Sequence, residues 1–189
     1  EFDQDGNVVQ GWPPLQTFEA APGTPAGQGT RVGSNGATLW ESVPGAYGDW
    51  GRREHTVYVD HTDHVWVSND NSHVLYKFTR DGRHVLTIGE KGTTAGSNDT
   101  RRLGRPAGVV VDSDTNELFV ADGYVNRRVI VFNAETGDYL RHWGAYGNRP
   151  DDTPLGPYDP TAQPATQFRG PVHGIVLSHD GLLYVTDRS

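Results

Sequence analysis

One structural unit is written into this chain more than once, and no other feature narrows the fold as far. Three stretches align on the residue that closes a first apolar run: Asp60, Asp112 and Ser178. The first reads EHTVYVDHTDHVWVSNDNSHVLYKFTRDGRHVLTIG, from Glu54 to Gly89. The second reads RPAGVVVDSDTNELFVADGYVNRRVIVFNAETGDYLRHWG, from Arg105 to Gly144. The third reads PVHGIVLSHDGLLYVTDRS, from Pro171 to Ser189. Each has an apolar strand, a polar turn, and a second strand ending at Val67, Val120 or Val185. The two complete copies continue into a third strand ending YKF or IVF. A turn follows (TRDG or NAETG), then a fourth strand closing at Gly89 or Gly144. The N-terminal FDQDGNVVQGW copies the end of the unit, with Phe2 matching Phe78 and Asp5–Gly6 matching Asp81–Gly82.

Four short antiparallel strands in a unit of roughly 40–50 residues predict a propeller blade. A lone blade has too little core, so stacking must bury both faces of its sheet. The expected fold is therefore all-β, a β-propeller forming part of a single domain across 1–189. Its parts are a blade end (1–12), a long loop (13–52), a whole blade (53–89), a second whole blade (105–144), a loop (145–169) and a half blade (170–189). Two whole and two partial blades fall short of the roughly 4–8 that close a ring. The expectation is that these residues are part of a longer chain.

Composition agrees. The chain has 24 glycines and 12 prolines, which favour turns between short strands. No long stretch carries period-3.6 apolar spacing. The formal charge of −8 argues against general affinity for phosphate backbones, so no nucleic-acid partner is expected. Arg101, Arg102 and Arg105 cluster in one loop, but acids surround them. Small molecules, peptides, a protein partner or self-association remain the expected partners. No apolar run approaches the roughly 20 residues of a membrane span. Cysteine is absent, which removes disulfides and thiolate metal sites. No signal peptide is visible; a secreted or periplasmic protein that has lost one is the expectation.

ELFVADGYVNRRVIVF, HVWVSNDNSHVLYKF and LLYVTDRS resemble the NHL repeat. Within NHL propellers the chain resembles peptidyl-α-hydroxyglycine α-amidating lyase, over about residues 1–12, 53–89, 105–144 and 168–189. The resemblance implies six blades and a zinc held on the axis by three histidines that start inner strands. His55 in EHTVYVD and His173 in PVHGIVLS match two of them. The third would lie beyond Ser189. ADGYVNRR implies a catalytic Tyr124, and TDRS implies a functional Arg188. A structural calcium is also implied, with the Val57 carbonyl as one ligand. Two departures stand out. NVVQGWPPL lacks the arginine that the lyase carries there, and Val125 follows the tyrosine where the lyase has a disulfide cysteine.

The register of the histidines has its own logic. His55 and His173 each lie five residues before the alignment point, and Ala107 holds that place in the blade between. Alternate blades of a six-membered ring are roughly 120° apart. Two such histidines would reach the axis from two of three symmetric directions, with the small Ala107 leaving room. Three neutral imidazoles and an open position make a catalytic zinc site. The same register equally serves channel histidines bonded to backbone or water. His61, His64, His73, His84, His142 and His179 read as solvated surface. In the lyase-type reaction Tyr124 would take a proton from the substrate hydroxyl, and Arg188 would hold the substrate carboxylate in a two-pronged bond. Tyr124 also reads as a turn residue stacked on a neighbouring blade, and Arg188 as half of an inter-blade ion pair. The competing function is a non-catalytic NHL interaction module that binds protein or polysaccharide through a propeller face. Trp143, Tyr146 and Tyr158 would supply its aromatic patch.

Overall fold

The computed structural model describes residues 4, 5, 7 and 53–188. The predicted blade end at 1–12, apart from Gln4, Asp5 and Asn7, and the loop at 13–52 lie outside the described residues. Among the described residues ten strands form three antiparallel sheets. The first sheet runs β1 (Glu54–Val59), β2 (Val65–Asn69), β3 (Val74–Phe78) and β4 (His84–Ile88), in that spatial order. The second runs β5 (Pro106–Asp112), β6 (Glu117–Asp122), β7 (Arg128–Asn133) and β8 (Tyr139–Trp143), again in sequence order. β9 (Val172–Leu177) pairs with β10 (Leu183–Asp187). These strands fall between 54 and 88, 106 and 143, and 172 and 187, and 90–104 and 145–169 carry none.

The residues used to align the repeat prove to be turn caps. Asp60 Oδ1 accepts the Thr62 and His64 N–H groups at 2.9 and 3.0 Å. Asp112 Oδ1 accepts Asp114 N–H at 2.9 Å, and Ser178 Oγ accepts Leu182 N–H at 3.0 Å. Each side chain stands in for a backbone partner at the first turn of its blade, which is what Asp and Ser do well.

β-Strand alternation then builds the stack. Leu118, Val120, Ile130 and Phe132 face the first sheet and join Trp66, Leu75 and Ile88 in one buried cluster. Their neighbours Phe119, Ala121, Val129 and Val131 point the other way, onto Val172 and Ile175 of β9. The middle blade is thus buried on both faces, as period-2 strands between two sheets must be. Each buried Val, Leu, Ile or Phe side chain in these clusters contributes about 1.5–3 kcal/mol by leaving water. The first strands also meet across blades: β5 packs against both β1 and β9. This brings the strand starts, where the predicted histidines lie, to one place.

A buried ion pair locks the loop at 90–104 onto the middle blade. Asp122 Oδ2 accepts Arg128 Nε at 2.8 Å and Asn126 Nδ2 at 2.7 Å, and its Oδ1 accepts Gly104 N–H at 2.6 Å. Arg128 donates onward to the carbonyls of Ser97 and Arg102 at 2.9 and 2.7 Å. Both charges are fully buried and neither side chain leaves a buried polar atom without a partner, the condition under which such a pair is tolerated.

Candidate functional site

Three elements converge on Tyr124. It sits in the turn between β6 and β7, where its N–H donates to Arg105 O at 3.3 Å and Val125 N–H donates to Gly104 O at 2.9 Å. His55 enters from β1, at a register irregularity between Glu54 and Thr56. His173 enters from β9. The Tyr124 hydroxyl lies 3.2 Å from His55 Nε2 and 3.2 Å from His173 Nε2. The two imidazole centroids are 4.8 Å apart, edge to face at 78°. Arg188, just past β10, completes the group: Nη1 is 3.2 Å from His173 Nε2 and Nη2 is 3.3 Å from the phenol oxygen.

Protons can be placed by elimination. A guanidinium only donates, so His173 Nε2 accepts and its ring proton sits on Nδ1. Arg188 Nη2 likewise donates to the phenol oxygen, which leaves the phenol proton free for His55 Nε2. Burial, then the Arg188 charge and the neighbouring His55, hold His173 below its ordinary value, so the ring is neutral at neutral pH. A neutral imidazole with an inward lone pair is the form that binds a transition metal.

His55, His173, Tyr124 and Arg188, chosen from sequence, thus form one side-chain group. Among the described residues no set of three or more His, Cys, Asp or Glu side chains gathers around a metal position. The two imidazoles fit zinc chemistry as two ligands of a larger set. Val57 lies two residues along β1 from His55, with its side chain mostly exposed. Arg188 makes no ion pair among the described residues; Nη1 and Nη2 each direct one N–H to His173 or Tyr124, leaving other donors of the guanidinium unassigned.

Several expectations need correction. Ala107 is fully buried, and its carbonyl accepts Ser68 Oγ at 3.0 Å, so it is packing rather than open channel. Of the six histidines expected to be solvated, only His61 and His179 are exposed; the other four are half-buried. His73 Nδ1 is buried without a partner, and burial lowers both His84 and His142. The acids expected around Arg101, Arg102 and Arg105 are in place. The first two pair with Glu90 at 2.7 Å, while Arg105 turns to Asp70 at 3.0 Å.

Sequence alone passes over Arg53 and reads Arg105 only as one of a loop cluster among acids. Arg53 and Arg105 both bind Asp70 Oδ2, at 2.9 and 3.0 Å, and both guanidiniums lie over the Tyr124 ring, at 5.8 and 5.2 Å from its centroid. A signal existed: each precedes its blade's alignment residue, Asp60 or Asp112, by the same interval, two places before His55 or Ala107.

Residues 103–132 match the family model described as NHL repeat. Peptidyl-alpha-hydroxyglycine alpha-amidating lyase 1 of Drosophila melanogaster is 34% identical over 103 residues, covering 51% of this chain and 18% of that protein. Lyase 2 of the same species is 33% identical over 88 residues, covering 46% and 21%. Peptidyl-glycine alpha-amidating monooxygenase B of Xenopus laevis is 29% identical over 134 residues, covering 71% and 14%. The chain therefore spans between 14% and 21% of the length of these relatives. A Bacteroides fragilis protein described as exported superposes with a TM-score of 0.44 at 17% identity, covering 70% of this chain and 29% of that one. Among the described residues no helix is long and apolar enough to cross a membrane. The chain is an all-β, propeller-type protein carrying an NHL repeat, related in sequence to the amidating lyases and monooxygenases.

Proposed function

We propose that this chain is part of a secreted or periplasmic, zinc-dependent lyase of the amidating type, which cleaves a C–N bond of an α-hydroxyglycine-type substrate. One observation carries the reading: a single phenol oxygen lies 3.2 Å from the Nε2 atoms of two histidines on alternate blades. His55 and His173 would hold the metal, with a further ligand from outside the described residues. Zinc, when bound, supplies Lewis acidity toward an oxygen of the substrate. The chain's own residues do the rest. Arg188 offers two N–H donors to the substrate carboxylate. Tyr124, as phenolate, takes the proton from the substrate hydroxyl. The C–N electron pair leaves with nitrogen, and that proton passes to it. The products are an amide and an aldehyde acid, so atoms and charge balance. A calcium near the Val57 carbonyl is part of the same proposal and is read by the same metal analysis.

The test is elemental mass spectrometry on the full-length protein and on its His55→Ala, His173→Ala double variant. The expected result is near-stoichiometric zinc that disappears in the variant, with release of glyoxylate from α-hydroxyhippurate by the wild type alone. Negligible metal in both proteins would sink the enzyme reading.

One observation favours the second reading, a binding module for protein or polysaccharide. Tyr146 and Tyr158 are 79% and 70% exposed. They line a cavity of about 440 Å³ in the loop at 145–169, with Arg169 over the Tyr158 ring at 5.5 Å. Trp143, expected in the same patch, instead packs against Phe119. Aromatic faces beside a cavity suit recognition without chemistry.

A further inference from the structure

We infer that Arg53 and Arg105 form a second anion seat beside the Arg188 seat, and that the site prefers peptides with a carboxylate side chain next to their C-terminal residue. The inference rests on reading Arg188 as the anchor for the terminal carboxylate.

The charges do not balance within the site. Asp70 is fully buried just past β2, and its Oδ2 takes both Arg53 and Arg105. Its Oδ1 is buried without a partner, as is the Nε of Arg105. Arg188 has no carboxylate partner among the described residues. Three guanidiniums therefore face one carboxylate, all within 6 Å of the Tyr124 ring centroid, at 5.8, 5.2 and 5.5 Å. The whole chain carries −8, so this excess is local and runs against the rest of the surface. A concentrated field of one sign at a site attracts the opposite charge.

The two seats are separate. Arg188 is directed at His173 and the phenol oxygen, where the reaction would occur. Arg53 and Arg105 are both tied to Asp70, which fixes their heads before any ligand arrives. Pre-ordering of this kind lowers the entropy that binding would cost. Arg105 also holds an unusual backbone. Its φ is +62°, in the left-handed region, directly before Pro106, which itself disfavours helical geometry at that place. The strained residue gives its carbonyl to Tyr124 N–H, so the second seat and the phenol are positioned together. Arg53 is half exposed and Arg105 about a quarter, which leaves their outer N–H groups open to a planar carboxylate.

The experiment measures calorimetric binding of two non-cleavable peptides, acetyl-Glu-Gly and acetyl-Gln-Gly, to the full-length protein. The expected result is a Kd about 10-fold lower for the glutamate peptide, with the gap closing at high salt. Arg53→Gln keeps Asp70 paired with Arg105, so the fold is preserved, and it should reduce the preference to within about 2-fold. Equal affinities, binding by neither peptide, or a preference that survives Arg53→Gln would each overturn the inference. Zinc content of the same wild-type sample separates the two conclusions. Preference without zinc removes the lyase reading and leaves the second seat standing. Zinc without preference does the reverse.

Discussion

Tyr124 is held by its backbone as well as its side chain. Its N–H is tied to Arg105 O, and the neighbouring Asp122, Asn126 and Arg128 form a buried network that fixes the turn. Three cations flank the ring while the hydroxyl faces both imidazoles. Tyr124→Phe keeps the ring and removes only the oxygen. Glyoxylate release should fall by about 10²–10⁴-fold, the usual loss for a positioned acid–base group, while zinc content stays at the wild-type level. Loss of zinc together with activity would make the phenol a structural partner of the histidines. At this scale the sequence was informative where chemistry and register coincide: His55, His173, Tyr124 and Arg188 come together as their motifs suggested. It was silent on Arg53 and took Arg105 for one of a loop cluster, because an arginine before a strand reads as an ordinary solvated charge until Asp70 is seen beneath it.

The blades were legible because turn chemistry and apolar alternation repeat together. The residues that marked the repeat, Asp60 and Asp112, are also the residues that close its first turn. Asp60 does more than its counterpart, since Oδ2 accepts the indole N–H of the fully buried Trp66 at 2.8 Å. Burial pushes this carboxyl up, but hydrogen bonds from Thr62, Trp66 and the His64 and Thr62 N–H groups outweigh it and leave it below its ordinary value. A carboxyl lowered in the folded state stabilises the fold above its unfolded pKa of about 3.9, and that contribution is lost as pH falls through the lower folded value. Asp60→Asn should cost roughly 1.5–3 kcal/mol at pH 7, the range for hydrogen bonds to a charged group. The difference between variant and wild type should shrink below about pH 4, measured by thermal unfolding across pH 2–7. A constant difference across that range would show that the ionised form contributes nothing. The half-buried histidines were misread for a related reason. His84 and His142 lie on outer strands, where sequence position alone does not reveal the rings of Tyr76, Phe78 and Tyr139 stacked against them.

Stacking of blades follows from the repeat, but the closeness of the stack does not. Gly123 lies in the ADGYVNRR segment just after β6. In the structure a Cβ at this position would lie 2.0 Å from Val172 O and 2.2 Å from Val172 N. Gly108 shows the same approach, with its Cβ 2.8 Å from His173 O. The middle blade therefore meets β9 backbone to backbone, and that contact sets how far His173 stands from Tyr124. Because the obstructing atoms are main chain, no side-chain rotation relieves them. Gly123→Ala should push β9 outward, costing about 1–3 kcal/mol from overpacking. In a domain of roughly 150–250 residues that lowers Tm by about 2–4 °C per kcal/mol. Zinc affinity should weaken at least tenfold, because a site built across two blades depends on their spacing. Gly156→Ala is the control, since its Cβ would meet nothing within 4 Å. Competition with a calibrated zinc chelator, run beside thermal unfolding, reads both effects on the same samples. A Gly123→Ala protein that loses stability yet binds zinc as the wild type does would show that the two histidines do not share a metal across the blade boundary.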